Sequence, residues 1–220
     1  MIEKYKNKLA EGLAFLNITA SDEQLKKLLN YHQLLVKWNK AYNLTAVRDP
    51  EQMIQRHLFD SLSVVKYIEG QRLIDVGTGG GLPGIILAII FPERELHLLD
   101  SNGKKTRFLF QVKTELKLSN VTIHHCRVEE HYPERLYDGI VSRAFATLLD
   151  MVNGSHHLLT TDGYFYAMKG IYPTEELRAL PKIYKVEACH TLSVPDEEGR
   201  RHLVVMAQHP VDDNASVHSD

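Results

Sequence analysis

The sequence predicts an α/β protein with a mostly parallel, seven-stranded sheet, a terminal antiparallel hairpin and helices at its N-terminus. Three observations carry this prediction. A glycine-rich turn, Gly77-Thr78-Gly79-Gly80-Gly81-Leu82-Pro83-Gly84, separates the short apolar run 73–76 from the apolar run 85–90, which reads as strand, tight turn, helix. Strand and helix patterns then alternate to Met168, as a parallel sheet requires. Two longer runs, 183–192 and 202–208, flank the turn-like Pro195-Asp196-Glu197-Glu198-Gly199-Arg200 and should pair as a hairpin.

Two helices are expected before the glycine turn. Ser21 and Gln24 form a capping box, and Leu25, Leu28, Leu29, Leu35 and Val36 repeat on one face. Asp49-Pro50 caps and starts the second helix, whose buried stripe is Ile54, Leu58, Leu62, Val65 and Ile68. The joint Trp38-Asn39-Lys40-Ala41-Tyr42-Asn43-Leu44-Thr45 either locks these helices together or helps to close a ligand site. After the turn, 96–99 is a second strand, and 103–117 a helix with Phe108, Leu109, Val112 and Leu116 inward. Residues 121–123 and 138–142 form strands three and four, 148–159 a helix, and 163–168 strand five. The expected division is a helical extension over 1–70 packed on the core, a ligand-binding domain over 71–209, and a polar, disordered tail over 210–220.

The 220 residues suffice for one such domain with an ample core, and 44% apolar with 25% charged residues is ordinary for a soluble protein. No run approaches the roughly 18 apolar residues of a membrane span, and the charged N-terminus lacks a signal peptide's apolar core, so a cytoplasmic protein is expected. Two cysteines, Cys126 and Cys189, fit a reducing compartment. Twelve histidines, with pairs at His124-His125 and His156-His157, show no metal-binding spacing, so no metal is expected. A net charge of −2 gives no overall hint of a polyanion partner. Local basic candidates are Lys4, Lys6, Lys8, Lys26, Lys27, Lys37 and Lys40, and later Lys104, Lys105, Arg107 and Lys113.

The glycine turn carries the chemistry. Glycine tolerates positive φ and lets a ligand approach the main chain, and the following helix offers free N–H groups. Asp100, ending the second strand, is placed to accept hydrogen bonds from ribose hydroxyls. Gly79-x-Gly81-x-x-Gly84 satisfies the dinucleotide fingerprint, which would make the protein a nicotinamide oxidoreductase. Asp75, however, stands two residues before Gly77 and gives Asp-x-Gly-x-Gly-x-Gly, the opening of S-adenosylmethionine (AdoMet) methyltransferases. There an acid orients the cofactor's ammonium group, a task that pyrophosphate binding does not need. The hairpin also favours the Rossmann-like class I AdoMet fold. A third reading is a non-catalytic AdoMet- or RNA-binding module, since fold alone does not fix activity.

Acceptor chemistry is read from strand four. Its continuation, Ser142-Arg143-Ala144-Phe145, is not the [Asn/Asp]-Pro-Pro-aromatic motif of exocyclic amine methylation. Cys126, after strand three, is badly placed to attack a pyrimidine. A guanine N7 carries its own lone pair and needs no base, and Arg143 could orient the guanine or the cofactor carboxylate. Arg127-Val128-Glu129 sits where such enzymes hold the adenine ring, and His57 lies on a helix leading to the loop, where a satisfied structural histidine is expected more than a functional one.

Assembled, these segments resemble the bacterial 16S rRNA guanine-N7 methyltransferases, also called glucose-inhibited division protein B. The resemblance runs from Trp38–Thr45 through Arg56-His57-Leu58-Phe59-Asp60-Ser61-Leu62, the Asp75–Gly84 loop, Leu98-Leu99-Asp100-Ser101, Arg127-Val128-Glu129-Glu130 and Ser142-Arg143-Ala144-Phe145-Ala146 to Met168-Lys169-Gly170. It implies AdoMet as cofactor and Gly77, Leu82, Val128, Glu129 and Arg143 as its contacts, beside Asp75, Gly79, Gly81 and the ribose acid Asp100. It also implies action on 16S rRNA or the small ribosomal subunit, at guanine 527 in the usual rRNA numbering; separately, a monomer is expected. Gly80 stands where the family often has proline, which should loosen the loop slightly.

Overall fold

A computed structural model describes residues 2–195 and 200–209; the expected tail and most of the 195–200 turn lie outside them. Seven strands make one sheet: β1 (Arg72–Val76), β2 (Glu95–Leu99), β3 (Val121–His124), β4 (Tyr137–Ser142), β5 (Leu159–Lys169), β6 (Tyr184–Leu192) and β7 (Arg201–Gln208). Their order is β3-β2-β1-β4-β5-β7-β6. The first five run parallel, and β7 pairs antiparallel with both β5 and β6. The expected parallel sheet and terminal hairpin are therefore both present.

The apolar runs follow from burial on two faces. Leu73, Leu98, Val141, Leu203 and Val205 pack into one cluster, while Ile74, Leu99, Ile140, Val204 and Met206 pack into the other. The outer strand β6 has a register shift between Val186 and Ala188, a bulge of the kind that blunts an exposed sheet edge.

Among the described residues, one α-helix more than expected precedes β1, and a 3₁₀ turn over Val65–Tyr67 leads into the strand. Helix α1 (Ile2–Phe15) is the addition. It is anchored by Leu9 and Leu13 and approaches its neighbour closely because residue 12 is glycine: a Cβ there would stand 2.1 Å from the Phe59 ring. Helix α2 (Asp22–Tyr42) opens with the expected Ser21–Gln24 capping box. The Gln24 amide also donates to the carbonyls of Ile89 and Ile90 at 3.1 and 3.0 Å, tying α2 to the far end of α5 (Gly84–Ile90). The next helix is broken into α3 (Pro50–Met53), a π-turn over Ile54–Phe59 and α4 (Asp60–Leu62). All five residues of its expected stripe are buried.

The aromatic and amide-rich joint locks the two helices. The Asn39 amide donates to Val47 O at 2.9 Å and its carbonyl accepts from Thr45 N at 2.8 Å, while Asn43 caps α2 at φ +54°. The remaining helices are α6 (Gly103–Glu115), α7 (Leu148–Ser155) and the unexpected α8 (Thr174–Ala179). Leu28 and Leu35 share one buried cluster with Ile85, Leu98 and Leu109, so the N-terminal helices and the sheet have a common core. Among the described residues, no helix is long and apolar enough to cross a membrane. Strand order reverses between β1 and β4, which opens a crevice at their C-terminal ends.

Candidate active site

That crevice is a cleft of about 330 Å³ bounded by Gly77, Asp100, Lys105, Val128, Glu129 and Ala144, among others. Its floor is the glycine loop. The N–H groups of Gly77 and Thr78 both donate to Leu99 O, at 2.8 and 3.1 Å, so the loop turns over the end of β2. Gly77, Gly79 and Gly81 have φ of +70°, +62° and +91°, conformations that side chains rarely adopt. A Cβ on Gly77 would stand 2.4 Å from the Ala144 Cβ and close the gap between loop and β4.

Asp100 projects into this cleft though only 5% exposed. One carboxylate oxygen accepts from Gly79 N at 2.9 Å, the other from Asn102 N at 2.8 Å, and the Lys105 ammonium lies 3.5 Å away. A carboxylate has about four acceptor positions, so both oxygens keep capacity for a diol. Across the cleft, Val128–Glu130 form a 3₁₀ turn that presents Val128 and Glu129. A buried acid over a diol position, a glycine floor that a side chain would fill, and this turn fit the ribose, main-chain and adenine requirements of AdoMet.

Of the sequence-selected residues, Gly77, Asp100, Val128 and Glu129 converge on this wall. Gly79 contributes the N–H that fixes Asp100. Three others sit behind it. Gly81 faces Ile85 and Leu109, and Leu82 is 4% exposed in the core, so both shape the loop from beneath. Asp75 is 1% exposed, and its Oδ2 accepts from Thr78 Oγ1 at 2.7 Å and Gly84 N at 2.8 Å. Oδ2 therefore staples the loop, a role that spacing did not reveal, while the buried Oδ1 has no hydrogen-bond partner among the described residues. Burial raises its pKa to about 6. The glycine at position 80 is held by the Tyr31 hydroxyl, which donates to its carbonyl at 2.7 Å, so the loop does not rely on proline there.

Arg143 also lies off the cleft wall. Its guanidinium donates to Asp60 Oδ2 at 3.0 Å and lines a second cavity of about 210 Å³ with Asp60, Lys169, Arg201 and His202. The Arg201 Nε lies 3.5 Å from Asp60 Oδ1. The adjoining residue, Ala144, lines the first cleft, so consecutive residues at the tip of β4 border the two chambers. Sequence reasoning assigned nothing to Asp60, Arg201 or Tyr31; their partners lie 83, 141 and 49 residues away, and no short motif records such pairings.

His57 is a satisfied structural residue. Nδ1 is paired with Arg56 O and Nε2 with the Thr45 hydroxyl, at 3.0 and 2.8 Å, and burial lowers its pKa to about 4. Cys126 borders the cleft on the Val128 side, and burial pushes its thiol up, away from thiolate chemistry. Lys4 and Lys8 are both ion-paired with Glu51. Among the described residues, no group of three or more His, Cys, Asp or Glu side chains could hold a metal ion.

Known proteins share this architecture. The chain is similar to a SAM-dependent methyltransferase from Aquifex aeolicus, with TM-score 0.54 and 17% identity, over 72% of this chain and 93% of that one. It is also similar in fold to TrmN from Thermus thermophilus, with TM-score 0.54 and 17% identity, over 68% of this chain and 47% of that one. Sequence relatives lie much nearer. The ribosomal RNA small subunit methyltransferase G of Pseudomonas aeruginosa (strain LESB58) is 54% identical over 93% of this chain and 96% of its own length. That of Ectopseudomonas mendocina is 53% identical over the same shares. The family model described as rRNA small subunit methyltransferase G matches residues 24–204, a span holding the glycine loop, Asp60, Asp100 and the β4 tip alike, and to that family the chain belongs.

Proposed function

We propose that the protein transfers the methyl group of AdoMet to N7 of a guanine in small-subunit rRNA, guanine 527 in the usual numbering. When bound, AdoMet supplies an electrophilic methyl on a sulfonium. The observation that carries the choice of acceptor is the tip of β4, where Arg143-Ala144-Phe145 offer neither a base nor a nucleophile. The acceptor must bring its own lone pair, and guanine N7 does.

In this reading Asp100 holds the ribose diol, and Val128 and Glu129 receive the adenine ring. Gly77 and Gly79 give the main chain close access, shaped from beneath by Asp75, Gly81 and Leu82. Arg143 orients the base or the cofactor carboxylate from the neighbouring cavity. The protein's contribution is placement, which can supply up to about 7–11 kcal/mol of the barrier. Residues 1–70 act as a helical extension of the AdoMet-binding domain, and the protein acts as a monomer in the cytoplasm.

A nicotinamide oxidoreductase would need a group to hold or release the substrate proton. Among the described residues the cleft holds no histidine, Asp100 and Glu129 are taken up by the ribose and adenine in this reading, and the Cys126 thiol is pushed up. The test is incubation with methyl-labelled AdoMet and unmodified small ribosomal subunits, followed by nucleoside analysis. Label is expected as 7-methylguanosine at one site. Label on another base, or AdoMet bound without transfer, would overturn the reading.

A further inference from the structure

Beside the cofactor cleft lies the second cavity, bordered by Arg143. Its inner wall is Asp60, a carboxylate 9% exposed, held between Arg143 at 3.0 Å and Arg201 at 3.5 Å. His202, 5% exposed, also lines it, and its buried Nδ1 has no hydrogen-bond partner. At the rim, Tyr172 meets the His202 ring edge-on at 5.5 Å and is 49% exposed, and Ile171 beside it is 85% exposed. A charged inner wall, an unpaired ring nitrogen and an exposed aromatic mouth together suit a flipped-out nucleobase.

We propose that this cavity seats the acceptor guanine and that Asp60 reads it, accepting hydrogen bonds from N1–H and the exocyclic N2 amino group. The inference rests on the methyltransferase reading above and deepens it. Guanine is the base whose Watson–Crick edge offers two adjacent donors to one carboxylate, while its N7 lies on the other side of the ring. With Asp60 on the donor edge, N7 is left free on the opposite side of the ring to meet the methyl group, the two chambers being bordered by the consecutive residues Arg143 and Ala144.

Charge balance supports the same orientation. Attack by N7 forms the N–C bond, and the C–S bond breaks with its electron pair left on sulfur. No proton leaves N7, so a unit positive charge moves onto the purine. The cations that border the cavity are paired, Lys169 with Glu176 at 2.8 Å and Arg143 and Arg201 with Asp60, and Asp60 is the carboxylate on its wall. Hydrogen bonds from N1–H and N2–H to that carboxylate strengthen as the base becomes cationic. Asp60 is thus a specificity residue that also offsets the developing charge. Arg201 is a positioning residue, acting through Asp60.

The test compares guanine with inosine, which lacks the N2 amino group, at the acceptor position of reconstituted small subunits. The wild-type protein is expected to prefer guanine by about ten- to a hundredfold in kcat/KM, the value of a hydrogen bond to a charged group. In Asp60→Asn the preference should shrink to within about threefold, with AdoMet affinity measured in parallel by titration. Equal loss on both substrates would reduce Asp60 to an anchor for Arg143 and overturn the proposal, as would an unchanged preference. Should Asp60→Asn not fold, Arg201→Gln loosens the same carboxylate; the preference then falls if Asp60 reads the base and persists if it does not. No transfer to guanine by the wild-type protein would instead overturn the methyltransferase reading, and this inference with it.

Discussion

The Tyr31 hydroxyl, in the middle of α2, donates a 2.7 Å hydrogen bond to the Gly80 carbonyl across 49 residues of sequence. Tyr31 is fully buried, and burial drives its phenol far above the usual range, so the hydroxyl remains a donor at all working pH values. The N-terminal helices therefore hold the glycine loop directly. Tyr31→Phe keeps the ring and leaves a buried carbonyl without its partner. It should cost about 1–3 kcal/mol in urea unfolding and weaken AdoMet binding. Unchanged stability and affinity together would show that the loop holds its shape alone.

Gly77→Ala places a side chain where φ is +70° and where the Ala144 Cβ would be 2.4 Å away. The φ strain alone costs about 1–2 kcal/mol, and the contact pushes β4 from the loop. AdoMet affinity by calorimetry should fall at least about tenfold, or 1.4 kcal/mol. Wild-type affinity would mean that this gap is not part of the cofactor site.

Asp100→Ala removes the acceptor of Gly79 N together with the proposed diol partner. AdoMet binding should weaken by about 1.5–3 kcal/mol, the range for hydrogen bonds to a charged group. Unchanged affinity would remove Asp100 from the site.

Arg143→Ala leaves Asp60 paired with Arg201, so its unfolding midpoint should move little. Turnover should fall by about 10²-fold, as expected when a positioning contact is lost. Intact methyl transfer would exclude Arg143 from both cofactor and base.

Acid should destabilise the protein, with an identifiable origin. Burial lowers the pKa values of His57, His97 and His124 to about 4, 3 and 4. His97 pairs with His124 at 2.8 Å and with the Tyr137 hydroxyl at 3.2 Å. Below the ordinary histidine pKa the unfolded chain binds more protons, so stability is lost as pH falls from about 6.5 towards 4. The slope is up to about 1.4 kcal/mol per pH unit for each histidine. Asp75 acts oppositely: its raised value means that the folded state binds more protons between about pH 4 and 6, so it loses stability there as pH rises. Three histidines outweigh one aspartate. Urea midpoints should decline from pH 7 to 4.5, and a flat profile would refute this balance.

The sheet was legible because the central strands β1, β2 and β4 are short apolar runs buried on both faces, and because the capping residues Ser21 and Asp49 mark real helix starts. Helix α1 was not, since it buries few apolar residues in a lysine-rich stretch and needs the Gly12–Phe59 contact to dock. Gly77 and Asp100 were legible as cleft residues because the turn chemistry is local. The stapling by Asp75 Oδ2 was not, because an acid that holds a loop and one that holds a ligand occupy the same place in a motif. The meeting of Asp60 with Arg143 and Arg201 depends on tertiary packing and leaves no local pattern.

The division of the two chambers by consecutive residues turns β4 into a ruler. Arg143 and Ala144 are joined by one peptide, so their Cα atoms stay about 3.8 Å apart whatever else moves. The spacing of these two lining residues is written in covalent bonds, and no hinge has to restore it. Slack elsewhere in the chain leaves that spacing intact.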